Sequence, residues 1–118
     1  MTKHSKIGIK GEQTAATFLL NKGYIILHTN WRSGKKEIDI IALKDNMIVI
    51  VEIKTRSTYD FGFPEESVNR KKQGFLKAAA RVFMNRNTQY RNMRFDIISI
   101  LMDGDTVKEI VHFEEAFY

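Results

Sequence analysis

A chain of 118 residues with no cysteine is about one domain long, large enough for a single core, and can form neither disulfides nor thiolate metal sites. The longest unbroken apolar run, Met47 to Val51, is far short of the roughly 20 residues that span a bilayer, and the polar start lacks a signal-peptide core, so a soluble, unsecreted, cytoplasmic protein is expected. Charge is segregated: residues 1 to 102 hold 18 Lys and Arg against 9 Asp and Glu, whereas residues 103 to 118 hold one Lys and five acids; a basic body is the electrostatic footprint of a nucleic-acid binder, although many basic proteins bind none.

Met1 to Lys10, with Lys3, Lys6 and Lys10 and little apolar material, reads as a mobile basic arm. A helix is expected from Gly11 to Lys22, where Ala15, Ala16, Phe18 and Leu19 recur at helical spacing and Gly23 supplies a C-cap. Tyr24 to Trp31 is rich in β-branched and aromatic residues and reads as a strand, closed by the loop "RSGKK". Next comes "EIDIIALKDNMIVIVEIKTR", Glu37 to Arg56, a hairpin turning at Asp45-Asn46.

Pro64 suits the first turn of a second helix, with Glu65 and Glu66 complementing its N-terminal dipole, and the helix should reach about Met84 or Asn85. Val68, Phe75, Leu76, Ala79, Ala80 and Phe83 form its inward stripe, while Arg70, Lys77 and Arg81 mark another, basic face. Met93 to Leu101 and Thr106 to Phe113 read as two strands joined by the turn "DGD". The whole is a single domain over residues 1 to 118, α/β in class, in the order α-β-β-β-α-β-β, with helices on the faces of a central sheet.

The hairpin carries charges where apolar residues belong. With the turn centred on Asp45-Asn46, paired residues have numbers summing to 91, so Asp39 faces Glu52 and Glu37 faces Lys54. Alternation puts Glu37, Asp39, Ile41, Leu43, Ile48, Ile50, Glu52 and Lys54 on one face, and Ile38, Ile40, Ala42, Val49, Val51 and Ile53 on the other. A hairpin this apolar is covered on both sides, so its charged end is at least partly desolvated, and two facing carboxylates repel unless something positive compensates. One reading pairs Lys54 with Glu37 or Glu52 as a structural ion pair, which leaves Asp39 uncompensated. The other is a divalent cation such as Mg²⁺, which takes one or two protein carboxylates and keeps several waters. Glu12 lies three, four and seven residues before Ala15, Ala16 and Leu19, on the inward stripe; it either joins these carboxylates or simply complements the helix N-terminus.

An acid followed about a dozen residues later by Glu-x-Lys on the next strand resembles the PD-(D/E)xK nuclease superfamily, here Asp39 and "EIK", Glu52 to Lys54. Over longer stretches, "GEQTAATFLLNKGYIIL", "EIDIIALKDNMIVIVEIKTRS", "FGFPEESVNRKKQGFLKAAARVF" and "RFDII" resemble the YraN-like family of small bacterial proteins, and the placement of the four polar residues is similar to that in archaeal-type Holliday junction resolvases. One departure is the "SGKKEID" loop, with Lys36 where the family pattern has Gly before Glu-Ile-Asp.

The resemblance implies a restriction endonuclease-like fold with a mixed five-stranded sheet, catalytic Glu12, Asp39, Glu52 and Lys54, and Mg²⁺ or Mn²⁺ held by Asp39, Glu52 and Glu12. It implies phosphodiester hydrolysis of DNA, structure- rather than sequence-selective, in repair or recombination; resolvase-like use of two strands would call for a homodimer. Arg56, Arg70, Lys71, Lys72, Lys77 and Arg81 are candidates for gripping phosphates. Two alternatives stand beside this reading: a nuclease-fold binding module without catalysis, and an RNA nuclease using the same chemistry. His4, His28 and His112 are assigned no role, and Asp96 is taken as a structural acid at a strand end, outside the site.

Overall fold

The structure, a computed structural model, describes residues 6–57 and 68–118. Its elements are α1 (Lys6–Asn21), β1 (Ile25–Ser33), β2 (Lys36–Lys44), β3 (Met47–Arg56), α2 (Arg70–Arg86), β4 (Asn92–Asp103) and β5 (Thr106–Phe117). The α/β architecture and the element order follow the expectation. One sheet runs in the order β1-β2-β3-β4-β5. Neighbours are antiparallel except β3 and β4, which are parallel, as required where a helical crossover separates consecutive strands. Among the described residues, no helix is long and apolar enough to cross a membrane.

The hairpin turns where the sequence says it should. Asp45 and Asn46 have φ of 51° and 65°, the left-handed pair of a type I′ turn, whose twist matches that of the flanking strands. Pairing runs from Lys44↔Met47 to Ile40↔Val51, so the register is the one counted from the turn. Both central strands are covered: Ala15 and Leu19 of α1 pack with Ile40, Val49, Val51 and Ile98 on one side, and Leu76, Ala79 and Phe83 of α2 pack with Ile41, Ile48 and Ile50 on the other.

Three boundaries differ from expectation. Residues 6–10 are not an arm but the first turns of α1; residues 1–5 lie outside the described region. Gly8 and Gly11 hide these turns in the sequence, because glycine is a poor helix former. Gly11 is buried, and a Cβ there would collide with the Thr55 hydroxyl of β3. The missing side chain is therefore what lets α1 lie close on the sheet. Gly11→Ala is expected to destabilise the fold by about 1–3 kcal/mol in urea melts, the usual cost of overpacking, and Thr55→Ala should recover part of that loss.

The second difference is the start of α2. Pro64, Glu65 and Glu66 lie outside the described residues, and the helix begins at Arg70, with the Asn69 side chain accepting a hydrogen bond from the Lys72 backbone N–H at 3.0 Å. Asn is among the strongest N-caps. Asn69→Ala should lower stability by about 0.5–2 kcal/mol in thermal or denaturant unfolding. Val68 is buried, but ahead of the helix rather than on its stripe.

Phe75, expected to point inward, is 47% exposed, with the Lys71 ammonium 5.9 Å from its ring centroid. Leu76, Ala79, Ala80 and Phe83 define the buried stripe, and Phe75 precedes Leu76 by one residue, which turns it about 100° away. The third difference is in the last two strands, which run longer than expected. Their paired ends are closed by Phe117 stacking on Phe95, with ring centroids 4.9 Å apart.

Candidate functional site

The β2–β3 ladder stops at Ile40 and Val51. Beyond it, the Ile53 N–H donates to Asp39 Oδ2 at 2.8 Å, so a carboxylate serves as acceptor where a strand carbonyl would otherwise do so. The neighbouring strand is kinked at the same level. Asn30, between the pairs Thr29↔Ile40 and Trp31↔Ile38, has φ of 52°, a left-handed conformation that non-glycine residues rarely adopt.

Strict alternation breaks here. Ile40 packs on the α1 side, but Ile38 packs on the α2 side with Ile41, which corrects the single apolar face expected for Ile38, Ile40 and Ala42. The Asp39–Glu52 and Glu37–Lys54 pairs obtained by counting fall past the end of the ladder. Glu37 instead meets its β1 neighbour Arg32 at 2.9 Å.

Asp39 and Glu52 are both 1% exposed. Glu52 shares the α2 side with Ile48 and Ile50, and Lys72 Nζ of α2 lies 3.0 Å from its Oε2, at ion-pair distance but without hydrogen-bond alignment. Lys72, a candidate for gripping phosphates, thus stands beside Glu52 with its side chain 34% exposed. The signal was present in the sequence: Lys72 stands four residues before Leu76, on the same helical stripe. Lys54, half-buried, follows Glu52 by two residues and is in register with Ser99 of β4, whose buried hydroxyl has no hydrogen-bond partner.

Glu12 sits on α1, next to Gly11 where that helix meets Thr55, and its Oε1 is buried without a hydrogen-bond partner. Among the described residues, no group of three or more His, Asp or Glu side chains could hold a metal ion. Glu12, Asp39 and Glu52 are therefore not gathered into one coordination set. Asp39 and Glu52 are the buried carboxylates of the two strands just past the end of their ladder. Of the other basic candidates, Arg70, Lys71 and Arg81 are exposed on α2, while Lys77 and Arg56 are half-buried.

A second polar cluster lies on the α1 side and was not anticipated. Asp96 is buried within β4, not at a strand end, and accepts hydrogen bonds from Arg94 Nε at 3.0 Å and from the Glu115 N–H at 3.1 Å. His112 Nε2 is 2.7 Å from Asp96 Oδ2, and His112 Nδ1 is 2.8 Å from Lys22 Nζ. An ammonium can only donate, so Nδ1 accepts and Nε2 carries the hydrogen given to Asp96. Arg94 also reaches the Tyr24 hydroxyl and Glu114. Burial alone would raise the Asp96 pKa, but the His112, Arg94 and Glu115 hydrogen bonds outweigh it and hold the carboxyl below the ordinary value of 3.8. His112 thus has a structural role, linking β5 to β4 and to the end of α1.

The family described as "Uncharacterised protein family UPF0102" matches residues 11–100, a stretch that includes Glu12, Asp39, Glu52 and Lys54. The chain is 46% identical to a UPF0102 protein of Flavobacterium psychrophilum, covering 100% of this chain and 98% of that protein. It is 42% identical to a UPF0102 protein of Phocaeicola vulgatus, covering 100% and 97%, and 44% identical to one of Alkaliphilus oremlandii, covering 97% and 99%. With similarity of this degree along nearly its whole length, the chain belongs to the UPF0102 (YraN-like) family.

Proposed function

We propose that this protein is a metal-dependent endonuclease that hydrolyses phosphodiesters in DNA, selecting structure rather than sequence. The observation that carries the reading is the pair of buried carboxylates, Asp39 and Glu52, where β2 and β3 part. Glu52 has the Lys72 ammonium at ion-pair distance, and a pair made only of oxygen donors suits a hard ion such as Mg²⁺ or Mn²⁺ that keeps several of its waters. The residues present fit that ion: Asp39 and Glu52 would hold it, with waters filling its remaining positions; Glu12, on the α1 side of the sheet, stands outside this pair. When bound, it would supply Lewis-acid polarisation of the phosphate and a more acidic water.

The chain's own groups have separable tasks. The Ile53 N–H fixes the direction of Asp39. Lys54, on the Glu52 side, orients the attacking water or stabilises charge developing on the phosphate. Arg56, Arg70, Lys71, Lys77 and Arg81 position the duplex through its phosphates, without reading bases. A homodimer would let two such sites cut two strands.

The alternative, a nucleic-acid-binding module without catalysis, has one observation in its favour: the described residues contain no three-donor metal set. Cleavage assays on linear, flapped and four-way DNA, with RNA counterparts, in Mg²⁺ or Mn²⁺ and with an EDTA control, separate the readings. The endonuclease reading expects metal-dependent cleavage of DNA that is lost in Asp39→Asn; binding without cleavage under all these conditions would leave the module.

A further inference from the structure

Lys72, a cation beside Glu52, is a side chain that can leave. The Glu52 side chain is 0% exposed and fixed on a central strand, whereas that of Lys72 is 34% exposed. The Lys72 backbone is anchored by the Asn69 cap, but its ammonium stands on a four-carbon stem with rotatable bonds. Its contact with Glu52 Oε2, 3.0 Å without hydrogen-bond alignment, is electrostatic and lacks the directional bonding that would lock it. A buried carboxylate cannot be left without a positive neighbour, and two cations on one oxygen repel each other.

We infer that Lys72 is an exchangeable cation: it neutralises Glu52 in the metal-free protein, yields Glu52 Oε2 to a divalent ion, and then joins Arg70 and Lys71 on the outer basic surface of α2. This rests on the reading of Asp39 and Glu52 as a cation site. The exchange links two events at one residue. Loading the site removes a resting ion pair and adds a phosphate contact, so metal and DNA bind cooperatively through Lys72.

The test is calorimetric titration of Mn²⁺ into the wild type, Lys72→Gln, Lys71→Gln and Glu52→Gln. Lys72→Gln, freed of the competing ammonium, should bind Mn²⁺ about tenfold more tightly than the wild type, a change of about 1.4 kcal/mol. Lys71→Gln, which removes the same charge one residue away on the outer face, should stay within about twofold, on the same scale. Equal affinity in the wild type and Lys72→Gln, or an equal gain in Lys71→Gln, overturns the exchange while leaving the cation site standing. Wild-type affinity in Glu52→Gln overturns the site itself. Should Lys72→Gln fail to fold, reductive methylation of the wild type read by mass spectrometry decides the matter: Lys72 should label several-fold faster with saturating Mn²⁺ than in EDTA, and an unchanged rate contradicts the exchange.

Discussion

Asp39→Asn and Glu52→Gln are each expected to reduce DNA cleavage by roughly 100- to 1000-fold, the scale of removing one preorganised electrostatic group from a hydrolytic site. The loss should come without unfolding. Asparagine retains a carbonyl oxygen that can accept the Ile53 N–H now bonded to Asp39 Oδ2, and glutamine fills the Glu52 volume while removing a buried charge. Asp39→Ala is the structural control: it leaves the Ile53 N–H without its acceptor, at a cost of about 1–3 kcal/mol. Single-turnover cleavage with melting curves on the same preparations separates the two effects. Wild-type rates in both conservative variants would remove these residues from the chemistry.

The largest loss of stability is expected at Asp96. Asp96→Ala strips the acceptor from Arg94, His112 and the Glu115 N–H at once and leaves the Arg94 guanidinium only its exposed partner Glu114, so a loss of about 3 kcal/mol, the lower end for removing one partner of a buried pair, is expected in urea unfolding. The same residue sets an acid limit. Its folded pKa is depressed below the 3.8 of an ordinary Asp, so the folded state binds the proton less readily than the unfolded chain. The resulting stabilisation is fully present above pH 3.8 and is lost as pH falls through the lower folded value. Asp96→Asn should therefore flatten the stability profile below about pH 4; an unchanged acid limb would contradict that assignment.

What could be read from the sequence follows from which contacts are local. The Asp45-Asn46 turn and the register of the hairpin depend on turn chemistry and a period of two, and both are present in the chain itself. The left-handed Asn30 is not, nor is the break in alternation that puts Ile38 and Ile40 on opposite sides. On α2, the helical stripe was drawn one residue too wide and the Glu52 contact of Lys72 was not read. Phe75 was expected inside and is exposed, while Lys72, named only as a candidate phosphate contact, reaches Glu52. The Asp96 network joins residues from the turn between α1 and β1, from β4 and from β5, up to 90 positions apart, and no spacing rule connects them. Asp39 and Glu52 stood out because they interrupt a strong apolar pattern; Asp96 interrupts one too, but its partners Lys22, Tyr24 and His112 are scattered along the chain.

The central claim, a divalent-cation site where β2 and β3 part, is tested most directly by Mn²⁺ paramagnetic broadening of the backbone amide spectrum. The amides of Asp39, Glu52 and Ile53 should broaden first at substoichiometric Mn²⁺ and should be spared in Asp39→Asn combined with Glu52→Gln. Broadening confined to the acidic segment from Asp103 to Glu115, or unchanged in the double variant, would contradict it.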